Sequence, residues 1–198
     1  RDCLLSRGLG DVYKRQPISV FESGAILQYL GRKSGKFYPK NERERSNVDQ
    51  WLFWQMGGLG PMAGQAHHFR MYAPQFTKEK LTYSKKRYTN EVNRLYGVMN
   101  KQLRKNDYLA GRYSIADMAC WGWVLPSKIS TKMQGQKLKE FPHLFKWFEK
   151  VGTRPAVQKG LDVGKVMRML AKASRSGLSE KTKEAKKARS LLFNQKAR

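Results

Sequence analysis

Apolar residues in this chain recur mostly three and four positions apart, the spacing that lines one face of a helix. Ile26, Tyr29 and Leu30 set it over residues 24–33, and Gly35 is placed to stop that helix in the left-handed conformation. The run just ahead, residues 17–21, reads as a short strand. A second stripe starts near Ser46, with Val48, Trp51, Leu52, Gln55 and Met56 on one side and Trp54 widening it. Gly57-Gly58-Leu59-Gly60-Pro61 interrupts that stripe and predicts a kink or local loosening, after which residues 62–72 resume the helix. The longest predicted helix covers 77–105, its apolar face marked by Tyr88, Val92, Leu95, Met99 and Leu103. Residues 115–125 are apolar on every side, which predicts a central position in a bundle, and Pro126 is expected to end that helix. Two more helices are predicted, one over 142–151 and one starting near Arg154-Pro155 with Thr153 as its cap.

Local chemistry sharpens two of these helix starts. In Tyr113-Ser114-Ile115-Ala116-Asp117-Met118, Ser114 is a candidate N-cap and Asp117 can reach back to its N–H, forming a capping box with Tyr113 and Met118 as a hydrophobic staple. Ser23 sits where the first helix should be capped, with Glu22 beside it. A helix start carries unpaired N–H groups and partial positive charge, so it can seat a carboxylate or phosphate. The Ser23 hydroxyl adds a donor and Glu22 can hold a cation. An amino acid carries both complementary groups. An ordinary serine cap next to an exposed glutamate is the plainer reading of the same residues.

Composition narrows the function classes. The chain has 198 residues and a formal net charge of +25. Residues 165–198 hold eleven Lys or Arg against two carboxylates, and residues 17–164 hold twenty-five against eleven, so the excess runs along the chain and is densest at the tail. Nonspecific attraction to polyanions follows, above all through that basic tail, and should weaken with salt. No uninterrupted apolar run approaches bilayer length, and no signal peptide is recognisable. Cys3 and Cys120 form neither a disulfide framework nor a metal-ligand spacing, which favours a reducing, cytoplasmic setting. Cys120 lies in the all-apolar segment and reads as a core residue. His67 and His68 are adjacent and cannot face one metal together as an i,i+4 pair does, so no metal is expected. Arg87 and Glu91, one turn apart, suggest an intrahelical ion pair.

A run ending in Glu-Ser, a helix, a linker and then an all-helical region around a capped apolar helix resembles the glutathione S-transferases. The segment Trp51-Leu52-Phe53-Trp54-Gln55-Met56-Gly57-Gly58-Leu59-Gly60-Pro61-Met62, with Gln65, His67-His68-Phe69, Arg87-Tyr88 and residues 113–121, is similar to the bacterial Nu-class branch, whose members resemble glutathione-dependent disulfide oxidoreductases. The resemblance implies a mainly α chain, a transferase C-terminal helical bundle preceded by the last strand and helix of a thioredoxin-like domain. It implies that Ser23 binds the γ-glutamyl carboxylate of glutathione, that Glu22 acts toward the ammonium, and that Arg87 supplies a second carboxylate contact from the helical region. Family members are dimers, so a homodimer is implied as well.

One element of the family pattern has no match here. The hydroxyl or amide that lowers the glutathione thiol pKa, and the cis-proline segment beside it, are expected upstream of Pro17. The segment Asp11 to Gln16 resembles a sequencing-adaptor reading frame, which suggests that residues 1–16 are an assembly scar. The expected division is therefore 1–16 extraneous, 17–40 a remnant of the glutathione-binding domain, 41–164 the helical domain and 165–198 a mobile basic extension. The expected function is that of a fragment of a glutathione transferase, its parent performing glutathione-dependent disulfide reduction or thiol transfer. A noncatalytic transferase-like interaction module, with a basic tail for RNA or a protein partner, is the alternative.

Overall fold

The structure is a computed structural model and describes residues 18–163. The expectations for 1–16 and 165–198 lie outside the described residues. The chain divides into two compact units, Arg1–Phe148 and Glu149–Arg198. Among the described residues all regular structure is helical. In order come α1 (Ser23–Ser34), α2 (Glu42–Trp54), a π-helical turn (Gln55–Leu59), α3 (Gly60–His67), a second π turn (His68–Tyr72) and a short 3-10 turn (Ala73–Gln75). The long α4 (Thr82–Leu103) and α5 (Ile115–Ile129) follow, then α6 (Thr131–Gln134), a 3-10 turn (Leu138–Glu140), α7 (Pro142–Gly152) and α8 (Pro155–Asp162). None of these helices is long and apolar enough to cross a membrane.

The expected strand does not form. Residues 18–21 stay irregular because a strand exists only as part of a ladder, and no other described segment is extended beside them. α1 ends as its sequence predicts: Gly35 takes φ 67° and its N–H returns to the Gly31 carbonyl. α2 begins four residues before the predicted start. The Asn41 side chain accepts from the Glu44 N–H, and Glu42 and Glu44 lie in the first turn, where the helix dipole favours negative charge.

The glycine-rich interruption is real and has a defined shape. Gln55–Leu59 forms a π turn, which widens the helix by one residue without breaking it, and α3 resumes with Pro61 in its first turn. α5 runs through Pro126 to Ile129, against the expectation that proline would end it. Proline lacks the N–H that would pair with the carbonyl four residues back, but that carbonyl belongs to Gly122, which is exposed, so water can satisfy it. Thr153 is not the cap of α8: Arg154 occupies that position, and the Thr153 hydroxyl donates to the Lys150 carbonyl.

Burial follows the predicted face on α4 but not on α1, where Ile26 and Leu30 of the expected stripe are exposed and Gly24, Gly31 and Leu27 pack inward. Val92, Leu95, Met99 and Leu103 of α4 are buried, together with Tyr96, which the periodicity did not single out. The Tyr96 hydroxyl bonds to Ser127 (3.0 Å) and to Gln134 Oε1 (2.9 Å), a buried polar network that fixes the end of α5 against α6. Burial pushes the Tyr96 phenol pKa far up.

α5 starts from the expected capping box. Asp117 is fully buried, and its Oδ2 accepts from the Ser114 N–H (3.0 Å) and the Ser114 hydroxyl (3.2 Å). Its Oδ1 accepts from the Leu109 N–H (3.0 Å) and the Trp147 indole (2.9 Å). The carboxylate thus ties the connection before α5 to α7 as well as capping its own helix. Tyr113 packs edge-on against Phe37 and Tyr108, at 5.5 Å in each case.

Candidate functional site

The start of α1 is held in place by three kinds of contact. Gly24 presses against Met56 of the π turn so closely that a Cβ would lie 3.0 Å from its terminal methyl. Leu27 packs on the buried cluster of Tyr38, Val48, Leu52, Ile115 and Ala116. Gln28 donates to Asp49 at 2.9 Å, and the Tyr38 hydroxyl donates to both oxygens of the same carboxylate at 2.9 and 3.0 Å. Burial and the Asp49 carboxylate raise the Tyr38 phenol pKa.

This clamping supports a strained residue. Glu22, not Ser23, occupies the N-cap position, with φ 66° and ψ 120°, a left-handed backbone that glutamate rarely adopts. Such a conformation costs about 1–3 kcal/mol and persists only where surrounding structure imposes it. Ser23 is consequently the first helical residue. Ile26 is the first to return its N–H, to the Glu22 carbonyl at 2.9 Å, as the helical pattern requires. The N–H groups of Ser23, Gly24 and Ala25 precede that ladder. The Ser23 hydroxyl is exposed and reaches only the Met56 sulfur, at 3.8 Å, a weak acceptor. An anion placed here would meet several N–H donors and one hydroxyl at the positive end of a dipole.

Arg87 stands on α4, exposed, its guanidinium 5.9 Å from the Tyr88 ring centroid. The expected Arg87–Glu91 ion pair does not form. Glu91 is instead taken bidentately by Arg94, at 2.7 and 2.9 Å, and that hydrogen bonding holds its carboxyl below the usual range. Arg87 makes no hydrogen bond or ion pair among the described residues and adds only a long-range lowering of Glu91. It is not in contact with Glu22 or Ser23. The π turn links their helices: Met56 touches α1, while Gly58 faces Leu95 of α4, with 3.8 Å between its Cβ position and Leu95 Cδ2. Met56 is the positioning residue that sequence reasoning missed; its signal was a methionine set against a glycine beside Glu-Ser.

Other candidates carry no chemistry. Cys120 is fully buried, and desolvation, aided by the Asp117 charge, drives its thiol pKa far up, so it acts as a small core residue. His67 stacks on Tyr72 with ring centroids 5.1 Å apart, and burial lowers its pKa; His68 lies edge-on to Phe69. Among the described residues no group of three His, Cys, Asp or Glu side chains is arranged to hold a metal.

Comparison with known proteins agrees with this architecture. The family model for the glutathione S-transferase C-terminal domain matches residues 66–161. The disulfide-bond oxidoreductase YfcG of Escherichia coli is 47% identical over 147 residues, which make up 74% of this chain and 65% of that protein. The glutathione S-transferase-like protein tpcF of Aspergillus fumigatus is 32% identical over 158 residues, covering 73% of this chain and 68% of its own length. A glutathione transferase from Pseudomonas putida, crystallised with one glutathione disulfide per subunit, superimposes with a TM-score of 0.68 at 38% identity, over 75% of this chain and 64% of that one. The chain thus spans less than two thirds of the Escherichia coli relative. On the helical fold, the capped central helix and these matches, the chain belongs to the glutathione S-transferase family.

Proposed function

We propose that the start of α1 holds the γ-glutamyl end of glutathione, and that the whole protein uses glutathione to reduce disulfides or transfer thiols. The observation that carries this reading is the strained Glu22 backbone, clamped at a helix start whose N–H groups and Ser23 hydroxyl are free to meet one carboxylate. In the bound state the Ser23 N–H and hydroxyl would donate to the γ-glutamyl carboxylate, and Glu22 would accept from the ammonium. Arg87, with Glu91 occupied by Arg94, would supply a cation to a glutathione carboxylate from α4. Residues 17–40 then act as part of the glutathione-binding domain, and 41–164 as the helical domain behind it.

The chemistry is thiolate–disulfide exchange. A glutathione thiolate attacks one sulfur of a disulfide, forming a mixed disulfide and expelling the other sulfur as a thiolate that takes up a proton. A second glutathione thiolate attacks the glutathione sulfur of the mixed disulfide, giving glutathione disulfide and the second reduced thiol. The glutathione disulfide held by the Pseudomonas putida relative has the composition of that product. Glu22, Ser23 and Arg87 bind and orient; none of them supplies the group that favours the thiolate. As in the family, the active form is taken to be a cytoplasmic homodimer, which sedimentation would test.

Calorimetric titration of the full chain with glutathione tests the seat. A charge-assisted hydrogen bond contributes about 1.5–3 kcal/mol, so Ser23→Ala should weaken binding about tenfold or more. S-methylglutathione should bind as well as glutathione, because the seat reads the γ-glutamyl end and not the sulfur. Unchanged affinity in Ser23→Ala would refute the assignment.

The charge of residues 165–198 favours a second reading, a noncatalytic transferase-like module whose basic tail docks on RNA or an acidic partner. Failure to bind glutathione, together with polyanion binding that needs residues 165–198, would favour it.

A further inference from the structure

The basic excess of the described residues is concentrated in two segments that meet in the fold. Residues 66–90 and 128–140 together hold ten Lys or Arg against two carboxylates, Glu79 and Glu140, whereas the rest of 17–164 holds fifteen against nine. Hydrogen bonds join these two distant segments. Arg70 Nε donates to the Lys132 carbonyl at 3.0 Å, and Arg70 Nη1 reaches the Thr89 hydroxyl at 3.4 Å. Gln136 donates to the Thr89 carbonyl at 2.8 Å. At Gly135, with φ 85°, a Cβ would lie 2.7 Å from Thr89 and 3.2 Å from the Arg70 guanidinium carbon, so the two segments touch without intervening side chains. Lys85 and Lys86 stand one helical turn before Thr89 on α4, on the side that Arg70 occupies. Of the two carboxylates, Glu140 pairs with Lys137 at 3.4 Å.

A second feature of the same segment is independent of charge. Phe76 and Tyr83 are 81% and 79% exposed, among the most exposed large side chains described; Lys78 and Lys80, with Glu79, lie between them in sequence, and Lys85 and Lys86 follow. A solvated charged face does not require bare aromatic rings. Cations to follow phosphates, with rings on which bases can stack, are the two components of single-strand recognition. A membrane surface would instead call for a continuous apolar face, and here each ring is flanked by charge.

We propose that the junction of residues 66–90 with 128–140 binds single-stranded nucleic acid, Lys85, Lys86 and Lys132 contacting phosphates while Phe76 and Tyr83 stack on bases. Arg87 is left out of the test because it belongs to the glutathione seat. The experiment is fluorescence anisotropy of a labelled fifteen-nucleotide oligouridine with the full chain across a salt series. Each single-strand phosphate contact adds about 0.7 to the slope of log K against log salt. Lys85→Ser/Lys86→Ser/Lys132→Ser should therefore lower the slope by about 2 and weaken binding at least tenfold at low salt. Phe76→Ala/Tyr83→Ala should leave the slope unchanged and weaken binding at least fivefold at every salt concentration. Phe76, Tyr83, Lys86 and Lys132 are exposed and Lys85 is half-buried, and circular dichroism verifies that the variants keep the fold. The proposal is overturned if the triple variant binds as the parent does, which would assign the binding to charges elsewhere. It is equally overturned if duplex of the same length binds as tightly as the single strand, or if phosphatidylserine vesicles bind through Phe76 and Tyr83 while oligouridine does not.

Discussion

Replacing Asp117 should come close to unfolding the helical region, and the size of the effect can be worked from its partners. Its carboxylate accepts from the Leu109 and Ser114 N–H groups and from the Trp147 indole, and all of these bonds are buried. Asp117→Ala strands three buried donors, each costing about 1–3 kcal/mol, so a loss of about 3–9 kcal/mol is expected. Domains of this kind are stable by only about 5–15 kcal/mol. Asp117→Asn keeps the volume, but both oxygens already face donors, so either amide orientation sets N–H against N–H; about 2–3 kcal/mol is expected. Urea unfolding followed by tryptophan fluorescence measures both. The pH dependence supplies a sign. Burial raises the Asp117 pKa above its ordinary value of 3.8, and the hydrogen bonds from Leu109, Trp147 and Ser114 only partly oppose this. The native state therefore holds that proton more firmly than the unfolded chain. The contribution of Asp117 is fully present below pH 3.8 and declines as pH rises through the raised value. Its advantage over Asp117→Asn should accordingly widen on acidification. Losses under 1 kcal/mol in both variants, or a gap that narrows as pH falls, would refute the reasoning.

Three further outcomes are expected. Gly31→Ala would set a methyl 2.6 Å from Tyr38 Cβ, which is fixed to the backbone, so α1 must shift and thermal unfolding should reveal a loss of about 1–3 kcal/mol. Cys120 should resist iodoacetamide in the native protein and react only after denaturation, as mass spectrometry of the labelled peptide would record. Glu22→Gly removes the cost of a left-handed glutamate and should stabilise the chain by about 1 kcal/mol in urea unfolding while weakening glutathione binding in calorimetry.

The sequence spoke clearly where one residue type has one physical use. Gly35 could end α1 because glycine alone enters the left-handed region without strain. Ser114 and Asp117 could be paired because three residues is the reach of a capping box. It spoke poorly where the answer depended on a partner distant along the chain. Glu91 had Arg87 and Arg94 equally within a turn, and only side-chain geometry selected Arg94. Pro126 looks like a stop until Gly122 is seen to be exposed opposite it. The strand over 17–21 depended on neighbours that the described residues do not contain.

The Glu22-Ser23 site illustrates the same distinction within two residues. A serine beside a helix start is legible in sequence, and so is the carboxylate it would receive. The left-handed backbone is not, because nothing about glutamate favours it; φ 66° occurs at a helix start where Gly24 meets Met56 and Leu27 packs on the core. That setting separates a binding seat from a cap. A cap needs only a side-chain oxygen turned back onto its own helix, and here no side chain caps α1. The Ser23 hydroxyl points away from the helix, toward the Met56 sulfur. A helix start that is rigidly held, strained and left uncapped keeps its donors for a ligand, so relaxing Glu22 with glycine should separate stability from binding in one substitution.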